Sequence, residues 1–556
     1  MRLLALVQVL FMLEAGVSIA MPTRRAPPTV ILDQGTFEGI TAPGLDKFLG
    51  IPFSIPPTGV LRFRLPIAND PYTAKTYSAA EFGPACPQQA QDPLRCLFGS
   101  TVEAADVNTS SFNNITSASP SEDEDCLTLN VIRPTGTRSG AKLPVVVWFF
   151  GGGFENGDAS TDDGGVIVGR SIELNQSVIY VSMNYRVSAF GFLAGKEVKA
   201  AGIGNLGLHD QRLALRWVRK YISAFGGDPS KVTIWGGSAG AISVSLQMLT
   251  NDGNTEGLFR GAFMNSGSPI PVGDITNGQP YYDALVSATS CGNSSDTLEC
   301  LREVPFSELK AAVDNSPGIF SPQSLALAWL PRADGVFLKD DPQKLVMNGS
   351  VANVPFVTGD VDDEGTIFAI CPSIAINDED KLRDYIAAFF VPNATAAELD
   401  RLLSLYPDDI TQGSPFDTGT NNAIFPEYKR IAALLGDLVF QAPRRLFLDY
   451  TASKQNTWSF LSMRDKGTHF IGSSHGSDLS KYAFRPGDLT DLVIHFVNHL
   501  DPNGPPSSRR FWPTYNNSSR PLMTLLDGSN SQAITSDTYR KESIGFLISL
   551  SLKHPF

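Results

Sequence analysis

The sequence predicts an α/β fold, in which helices cover both faces of an open, mostly parallel sheet. Short β-branched and aromatic runs alternate with segments of helical spacing, an order typical of such sheets. The composition is globular, with 42% hydrophobic and 18% charged residues, and a chain of 556 residues can bury a large core. A glycine-rich turn at residues 236–240 joins one predicted strand to one predicted helix.

The first elements along the chain are predicted to be short. Residues 29–40 have the pattern of strand, turn and strand. Residues 50–53 and 56–59 are rich in glycine and proline and are predicted to be ordered loops. Residues 87–124 are polar with weak periodicity, which indicates a surface excursion with cysteines at its base.

The central elements alternate more clearly. The apolar runs 143–149 and 178–183 are predicted to be buried strands. Residues 210–225 have helical spacing and are followed by the helix-ending sequence Gly-Gly-Asp-Pro. A strand at 232–235 and a helix at 239–249 come next, and further short strands are expected at 262–264, 355–358 and 458–463. Ligands of such sheets bind at the carboxyl ends of the strands.

Charge and targeting signals limit the partners. A net charge of −13 and a pI near 5 argue against nucleic acid or an anionic membrane surface as a partner. Arg2, an apolar run and small residues at 18–20 predict a signal peptide at residues 1–20 and therefore secretion. A dibasic pair predicts a short propeptide at 21–25, which leaves one domain at 26–556. No later stretch is long enough for a transmembrane anchor.

Secretion makes disulfide bonds the expected state of the cysteines. A bridge between Cys291 and Cys300 would close a short loop, and one between Cys86 and Cys126 a long loop. Cys96 and Cys371 then form a third bridge or remain free thiols, and the sequence permits other pairings. N-glycans are expected at surface sequons, at Asn108, Asn114, Asn175, Asn293, Asn348, Asn393, Asn516 and Asn517.

The turn at residues 236–240 is a Gly-x-Ser-x-Gly motif centred on Ser238. Glycines at its two ends allow a turn sharp enough to lift a serine hydroxyl clear of the sheet and next to a helix N-terminus. The functional interpretation is therefore a nucleophile elbow. The alternative is an ordinary glycine-rich turn, because such matches are common in a chain with 49 glycines.

Three glycines at 151–153 directly follow the predicted strand 143–149. Bare backbone N–H groups there can converge on one point, as the oxyanion of an ester's tetrahedral intermediate requires. The candidate donors are the amides of Gly152, Gly153 and Ala239. An ordinary turn between strand and helix is the alternative.

A serine nucleophile also needs a base and an acid. Of the six histidines, His469 and His475 lie in the loop after the last strong strand. The other four have less suitable positions: His209, His495, His499 and His554. The acid is expected between serine and histidine in the chain, and residues 359–366 (GDVDDEGT) are the densest acidic loop there. Spacing does not choose among its four carboxylates, and a solvated or cation-binding loop explains them equally well.

Longer stretches give a specific resemblance. The chain is similar to the type-B carboxylesterase/lipase family of α/β-hydrolases, which includes cholinesterases, and most of all to secreted fungal lipases and sterol esterases of the Candida rugosa lipase type. The similarity covers nearly all of the mature chain. The matching stretches are FLGIPF (48–53), EDCLTLNV (124–131), WFFGGGFE (148–155), NYRVSAFGFLAG (184–195), FGGDPSKVTIWGGSAG (225–240), LPRADGV (330–336), GDVDDEGT (359–366), DITQGSPFDTG (409–419) and SHGSD (474–478).

The resemblance implies specific roles. Glu364 would be the acid, in the family's Asp-Glu-Gly-Thr, and His475 the base, in its His-Gly-x-Asp, with no metal or organic cofactor. The family disulfides map to Cys86–Cys126 and Cys291–Cys300. The loop at 86–126 corresponds to the lid of family lipases, and residues 320–330 either form a wall of the acyl tunnel or pack in the core.

Gly237 departs from the family pattern, in which glutamate usually stands immediately before the serine. The carboxylate that supports the site in such relatives is therefore absent, and we expect an altered turnover or pH optimum.

The resemblance implies a hydrolase of long-chain esters at a lipid–water interface. A carboxylesterase for smaller soluble esters and a non-catalytic binding module on the same fold are the alternatives.

Overall fold

The structure is a computed structural model that describes residues 26–90, 96, 121–504, 510–529 and 531–556. The expected signal peptide and propeptide, most of the excursion at 86–126, and the sequons Asn108 and Asn114 lie outside the described residues.

The strands run from the first described residues almost to the end of the chain. They are β1 (Thr29–Leu32), β2 (Gly35–Glu38), β3 (Ile40–Ala42), β4 (Leu45–Pro52), β5 (Thr76–Ser78), β6 (Thr128–Pro134), β7 (Leu143–Phe149), β8 (Ile179–Met183), β9 (Gly227–Gly237), β10 (Gly261–Asn265), β11 (Phe356–Val361), β12 (Thr457–Ser462), β13 (Pro521–Leu525) and β14 (Gln532–Ser536).

Helices connect most of the central strands. They are α1 (Gly164–Glu173), α2 (Ser188–Phe192), α3 (Lys196–Ala201), α4 (Leu206–Tyr221), α5 (Ala239–Leu249), α6 (Gln279–Ala288), α7 (Thr297–Glu303), α8 (Phe306–Asp314), α9 (Pro342–Met347), α10 (Thr366–Ala375), α11 (Glu379–Phe389), α12 (Ala396–Leu405), α13 (Tyr428–Gly436), α14 (Ala442–Thr451), α15 (Asp488–His499) and α16 (Lys541–Lys553).

Eleven of these strands form one mixed sheet in the order β14-β13-β12-β11-β10-β9-β7-β8-β6-β4-β3. The strands from β8 through β7, β9, β10, β11 and β12 to β13 pair in parallel, and the outer pairs are antiparallel. A separate three-stranded sheet contains β1, β2 and β5. The predicted open, mostly parallel sheet is therefore confirmed.

Both faces of the large sheet are buried. Along β7, Val145 and Val147 pack into one apolar cluster, whereas Val146 and Trp148 pack into the other. Helices α4 and α5 contribute to the first cluster, and α1 and α15 cover the second. Burial on both faces explains why this strand is a continuous apolar run rather than an alternating one.

Three predicted elements differ clearly in the structure. The strand predicted at 232–235 begins earlier, because β9 starts at Gly227 and includes part of the sequence predicted to end the helix. Residues 50–52, predicted as a loop, belong to β4, which pairs with β6 across an irregularity between Phe48 and Ile51. Gly50 has φ +68° there, and its N–H donates to the side chain of Asn130, so the glycine marks a bulge rather than a loop. The helix predicted at 210–225 begins earlier, at Leu206, and its last turn, Ile222–Phe225, is a 3₁₀ helix.

The cysteines form three bridges: Cys86–Cys126, Cys96–Cys371 and Cys291–Cys300. The first and third agree with the pairing that the resemblance implies, and the second resolves the alternative that the sequence left open for Cys96 and Cys371. The backbone of Ala85 pairs with residues 121 and 123, so the two ends of the excursion lie together. In the described part of the chain, every helix is too short or too polar to cross a bilayer.

Candidate active site

The predicted site residues meet at the carboxyl ends of neighbouring parallel strands. Ser238 follows β9, the glycines at 151–153 follow β7, Glu364 follows β11, and His475 lies in the loop after β12. Residues that are distant in the sequence come together here because parallel strands bring their carboxyl ends to one edge of the sheet.

Ser238 lies on a sharp turn between β9 and α5. It has φ 55° and ψ −126°, a conformation that L-residues rarely adopt outside strained functional turns. A Cβ on Gly236 would overlap the backbone of Gly240, and one on Gly240 would overlap the carbonyl oxygen of Phe149. Glycine at both positions is therefore required for the close approach of strand and helix, as the motif predicts.

His475 bridges the serine and an acid. Its Nε2 lies 2.8 Å from Oγ of Ser238, and its Nδ1 lies 2.5 Å from Oε2 of Glu364. The rings of Phe368 and Phe440 pack against the imidazole, with centroids 5.1 and 4.8 Å away. These contacts hold the imidazole between hydroxyl and carboxylate.

The four carboxylates of the 359–366 loop have different partners. Glu364 is 1% exposed, and its second oxygen accepts a hydrogen bond from the Val361 N–H at 2.8 Å. Asp360 pairs with Arg444, and Asp362 and Asp363 pair with Lys466. Burial raises the pKa of Asp360 and of Asp363 above the ordinary value. Of the four, Glu364 is the one in contact with the imidazole.

Asp363 ties the acidic loop to the histidine loop. Its Oδ2 accepts a hydrogen bond from the Ser473 N–H at 2.9 Å, and its own N–H donates to the Ser473 carbonyl at 3.0 Å. The hydroxyl of Ser414 donates to its other oxygen. The loops that carry Glu364 and His475 are thereby held in a fixed relative position.

The glycine-rich turn faces the serine. Gly152 and Gly153 have φ of 110° and 63°, values that favour glycine. Among the described residues, the amides of Gly152, Gly153 and Ala239 have no hydrogen-bond acceptor. Gly153 and Ala239 line one cavity together with Ser238. The turn thus carries free donors beside the serine, where an oxyanion would form.

In the described part of the chain, two cavities have Ser238 in their lining. The first is apolar, and its walls are side chains of Ile242, Ile270, Ile319, Leu325, Leu327, Leu330, Phe368, Val439, Phe440 and Phe556. The segment 320–330 thus provides part of its lining. The second contains His475 and is also lined by polar groups, among them Gln88, Asn156, Asp162 and Lys310. Burial raises the pKa of Asp162 to about 6.

Sequence reasoning did not identify Asn265, at the end of β10. Its backbone carbonyl accepts the Ser238 N–H at 2.8 Å, and its side-chain amide donates to Asp478 at 2.7 Å. Asp478 is 1% exposed and three residues after His475, and burial raises its pKa to about 6. Asp478 is the last residue of the SHGSD stretch, and this position was the sequence signal that could have identified it.

The remaining histidines lie elsewhere. His209 is in α4 and packs edge-on against Phe337. His495 contacts Gln176, and its pKa is lowered by burial. His469 packs against the ring of the next residue, Phe470. Among the described residues, no group of three or more His, Cys, Asp or Glu side chains has an arrangement able to hold a metal ion.

Comparisons with known proteins agree with this architecture. The model of the carboxylesterase family matches residues 26–546. Lipase 4 of Diutina rugosa is 44% identical over 521 residues, covering 92% of this chain and 93% of that protein. Secreted lipase 1 of Botryotinia fuckeliana is 41% identical over 558 residues, covering 95% and 94%. The crystal structure of Aspergillus niger EstA superposes with a TM-score of 0.79 at 26% identity, covering 96% and 99%. On the family match and these identities, the chain belongs to the carboxylesterase family.

Proposed function

We propose that this chain is a secreted serine ester hydrolase that cleaves long-chain acyl esters through an acyl-enzyme. The observation that carries the proposal is the contact of His475 with both Ser238 and Glu364, at 2.8 and 2.5 Å. Hydrogen bonds in this order are the arrangement that activates a serine hydroxyl as a nucleophile.

His475 acts as a general base when Ser238 attacks the ester carbonyl, and then gives the proton to the leaving alcohol. Glu364 orients the imidazole and stabilises its cation. The amides of Gly152, Gly153 and Ala239 donate to the oxyanion. A water molecule then gives its proton to His475 and attacks the acyl carbon, and His475 returns the proton to Oγ of Ser238 as the carboxylic acid leaves.

The apolar cavity favours long acyl chains. Its lining is almost entirely aliphatic and aromatic side chains, and it begins at Ser238. Each methylene that such a cavity removes from water contributes about 0.8 kcal/mol. The relatives agree, since one protein of Gibberella zeae, 40% identical over 556 residues, is named a secreted triacylglycerol lipase. We therefore assign the acyl chain to this cavity and the alcohol to the second, more polar one.

Several features remain part of the proposal. Secretion and the processing of residues 1–25 rest on the sequence pattern and on relatives that are named secreted lipases. Action at a lipid–water interface and N-glycans at the sequons likewise remain predictions. A fold of one domain across residues 26–556 is consistent with the family match over 26–546.

The deciding experiment is Ser238→Ala. We expect this variant to fold like the wild type but to lose turnover of p-nitrophenyl esters and labelling by a fluorophosphonate probe. Retained turnover would refute the assignment of Ser238. An unlabelled, inactive wild-type protein would instead favour the non-catalytic binding module. A series of p-nitrophenyl esters of increasing chain length, with an emulsion assay, separates a long-chain hydrolase from an enzyme for small soluble esters.

A further inference from the structure

Arg332 is a buried cation without an acidic partner. Arg332 is 4% exposed, and no carboxylate among the described residues forms an ion pair with it. Burial lowers the pKa of its guanidinium to about 10, and Nε has no hydrogen-bond partner in the described part of the chain. Such a group is costly to bury, so its retention requires a compensating interaction.

The guanidinium is surrounded by backbone carbonyls of one short segment. Nη1 lies 3.4 Å from the carbonyl oxygens of Ala328 and Leu330, and Nη2 lies 3.3 Å from that of Leu327. This segment, 323–331, has turns and irregular backbone in place of helix or strand. Without a ladder to satisfy them, its buried carbonyls depend on such donors.

The same segment lines the apolar cavity at Ser238. Leu325, Leu327 and Leu330 present their side chains to that cavity, whereas Arg332 is absent from its lining. The carbonyls of Leu327 and Leu330 thus turn to Arg332 on one side, and their side chains meet the cavity on the other. Gln323 supports the same stretch, since its amide donates to the Ala326 carbonyl at 2.7 Å.

The backbone of Arg332 is itself fixed. Its N–H donates to Oδ1 of Asn205 at 3.0 Å, and its carbonyl accepts from Nδ2 of Asn205 at 2.8 Å. Asn205 directly precedes α4, so the arginine is attached to a long helix of the main fold. The guanidinium therefore connects a rigid element to a segment that has no regular hydrogen bonds of its own.

We propose that Arg332 is a positioning residue for acyl-chain specificity, because it holds the carbonyls of the cavity wall and thereby fixes Leu327 and Leu330 toward the acyl chain. This inference rests on the proposed function. Arg332 is absent from the cavity lining, so it acts on the acyl chain through the wall. A planar guanidinium suits this role, since its fork of donors can reach several carbonyls at once, which a lysine ammonium on a flexible stem does less well.

The test compares Arg332→Met with Arg332→Lys on p-nitrophenyl acetate, decanoate and palmitate. For Arg332→Met we expect KM for the two long esters to rise roughly fivefold or more, the factor given by a loss of about 1 kcal/mol of binding. For acetate, whose acyl group does not reach the wall, kcat and KM should change less than about twofold. Arg332→Lys keeps the charge and some donors and should show a smaller rise.

A matched control is Arg212→Met. Arg212 is also buried and also donates to a backbone carbonyl, that of Asn254 at 2.9 Å, but it pairs with Glu256 and lies on α4 outside the cavity. We expect it to lower the melting temperature and leave the chain-length profile unchanged. If Arg332→Met has the same profile as Arg212→Met, the positioning role is wrong.

The remaining outcomes are also decisive. If Arg332→Met does not fold, Arg332→Lys carries the test, and a wild-type chain-length profile in that variant overturns the inference. If the wild-type protein hydrolyses none of the three esters and is not labelled by a fluorophosphonate, the proposed function fails instead. If Arg332→Met has normal turnover of the acetate ester and an unchanged KM for the decanoate and palmitate esters, the proposed function stands and the role of Arg332 is refuted.

Discussion

Leu479 packs directly against the bare backbone of Gly237, the residue before the nucleophile. A Cβ added to Gly237 would overlap Cδ1 of Leu479 and lie 3.2 Å from Cη2 of Trp148. Leu479 also lines the cavity that contains His475. At a position where the resemblance leads us to expect glutamate, this chain therefore has an apolar contact between the nucleophile elbow and the histidine loop.

Gly237→Ala should disturb that contact. Because the new methyl group must displace Leu479, we expect the free energy of unfolding to fall by about 1–3 kcal/mol and kcat to fall with it. Urea denaturation and ester turnover measure the two effects. Leu479→Ala in the same chain should restore part of the lost turnover, because it makes room for the methyl group.

Gly169→Ala is the matched control for this prediction. Gly169 lies inside α1, and a Cβ there would have nothing within 4 Å. We expect this change to raise stability by about 0.5–1 kcal/mol, since alanine favours the helix. Equal effects of alanine at 237 and at 169 would contradict the proposed overlap.

Glu364→Gln should separate the orienting carboxylate from its neighbours. The glutamine keeps the size of the side chain but cannot stabilise the imidazolium, so we expect kcat to fall by ~10³–10⁴, as for the equivalent change in serine proteases. Asp362→Asn, in the same loop but paired with Lys466 and not with the imidazole, should lower kcat far less than Glu364→Gln does. Comparable losses in the two variants would argue against Glu364 as the acid.

The fold was predictable where local pattern and burial agree. The runs at 143–149 and 239–249 correspond to β7 and α5 with the same bounds, because continuous apolar sequence and a glycine-flanked serine fit a doubly covered sheet. The loop predicted at residues 50–52 was wrong because pairing with β6 overrides the loop preference of glycine and proline.

The candidate site was predictable in part. The motif gave Ser238 and the glycine turn, but only the resemblance separated His475 from His469 and Glu364 from its three neighbours. Spacing could not do so, because these choices depend on where loops from β11 and β12 meet in space. Asn265 was missed for the same reason, since its contacts to Ser238 and Asp478 join three separate parts of the chain.

Asp478→Asn should change how stability depends on pH. Burial raises the pKa of Asp478 from its ordinary value to about 6, so the native state holds this proton more strongly than the unfolded state does. Protonated Asp478 therefore stabilises the native state at pH 4, and this stabilisation is lost as the pH rises through about 6. Asparagine keeps an acceptor for the Asn265 amide and carries no charge.

We therefore expect the variant to gain stability relative to the wild type between pH 4 and pH 7. The measurement is the difference in melting temperature between the two proteins across that range, which cancels other titrating groups such as Asp162. The difference should increase with pH and level off above about pH 7. A difference that is constant with pH would mean that Asp478 is ionised at pH 4.

Phe556→Ala should lengthen the acyl chains that the enzyme prefers. The ring of Phe556 lines the apolar cavity and packs edge-on against Phe390, with centroids 5.6 Å apart. Its backbone is held independently, because its N–H donates to the Pro271 carbonyl at 3.1 Å and its carbonyl accepts the Gly273 N–H at 2.9 Å. Removing the ring therefore enlarges the cavity without releasing the segment, and the chain-length optimum for p-nitrophenyl esters should move to longer acids.

Phe511→Ala, at a position that is 70% exposed, should leave that optimum unchanged. An identical optimum in both variants would mean that the acyl chain does not reach Phe556, and the assignment of the acyl group to this cavity would have to be revised.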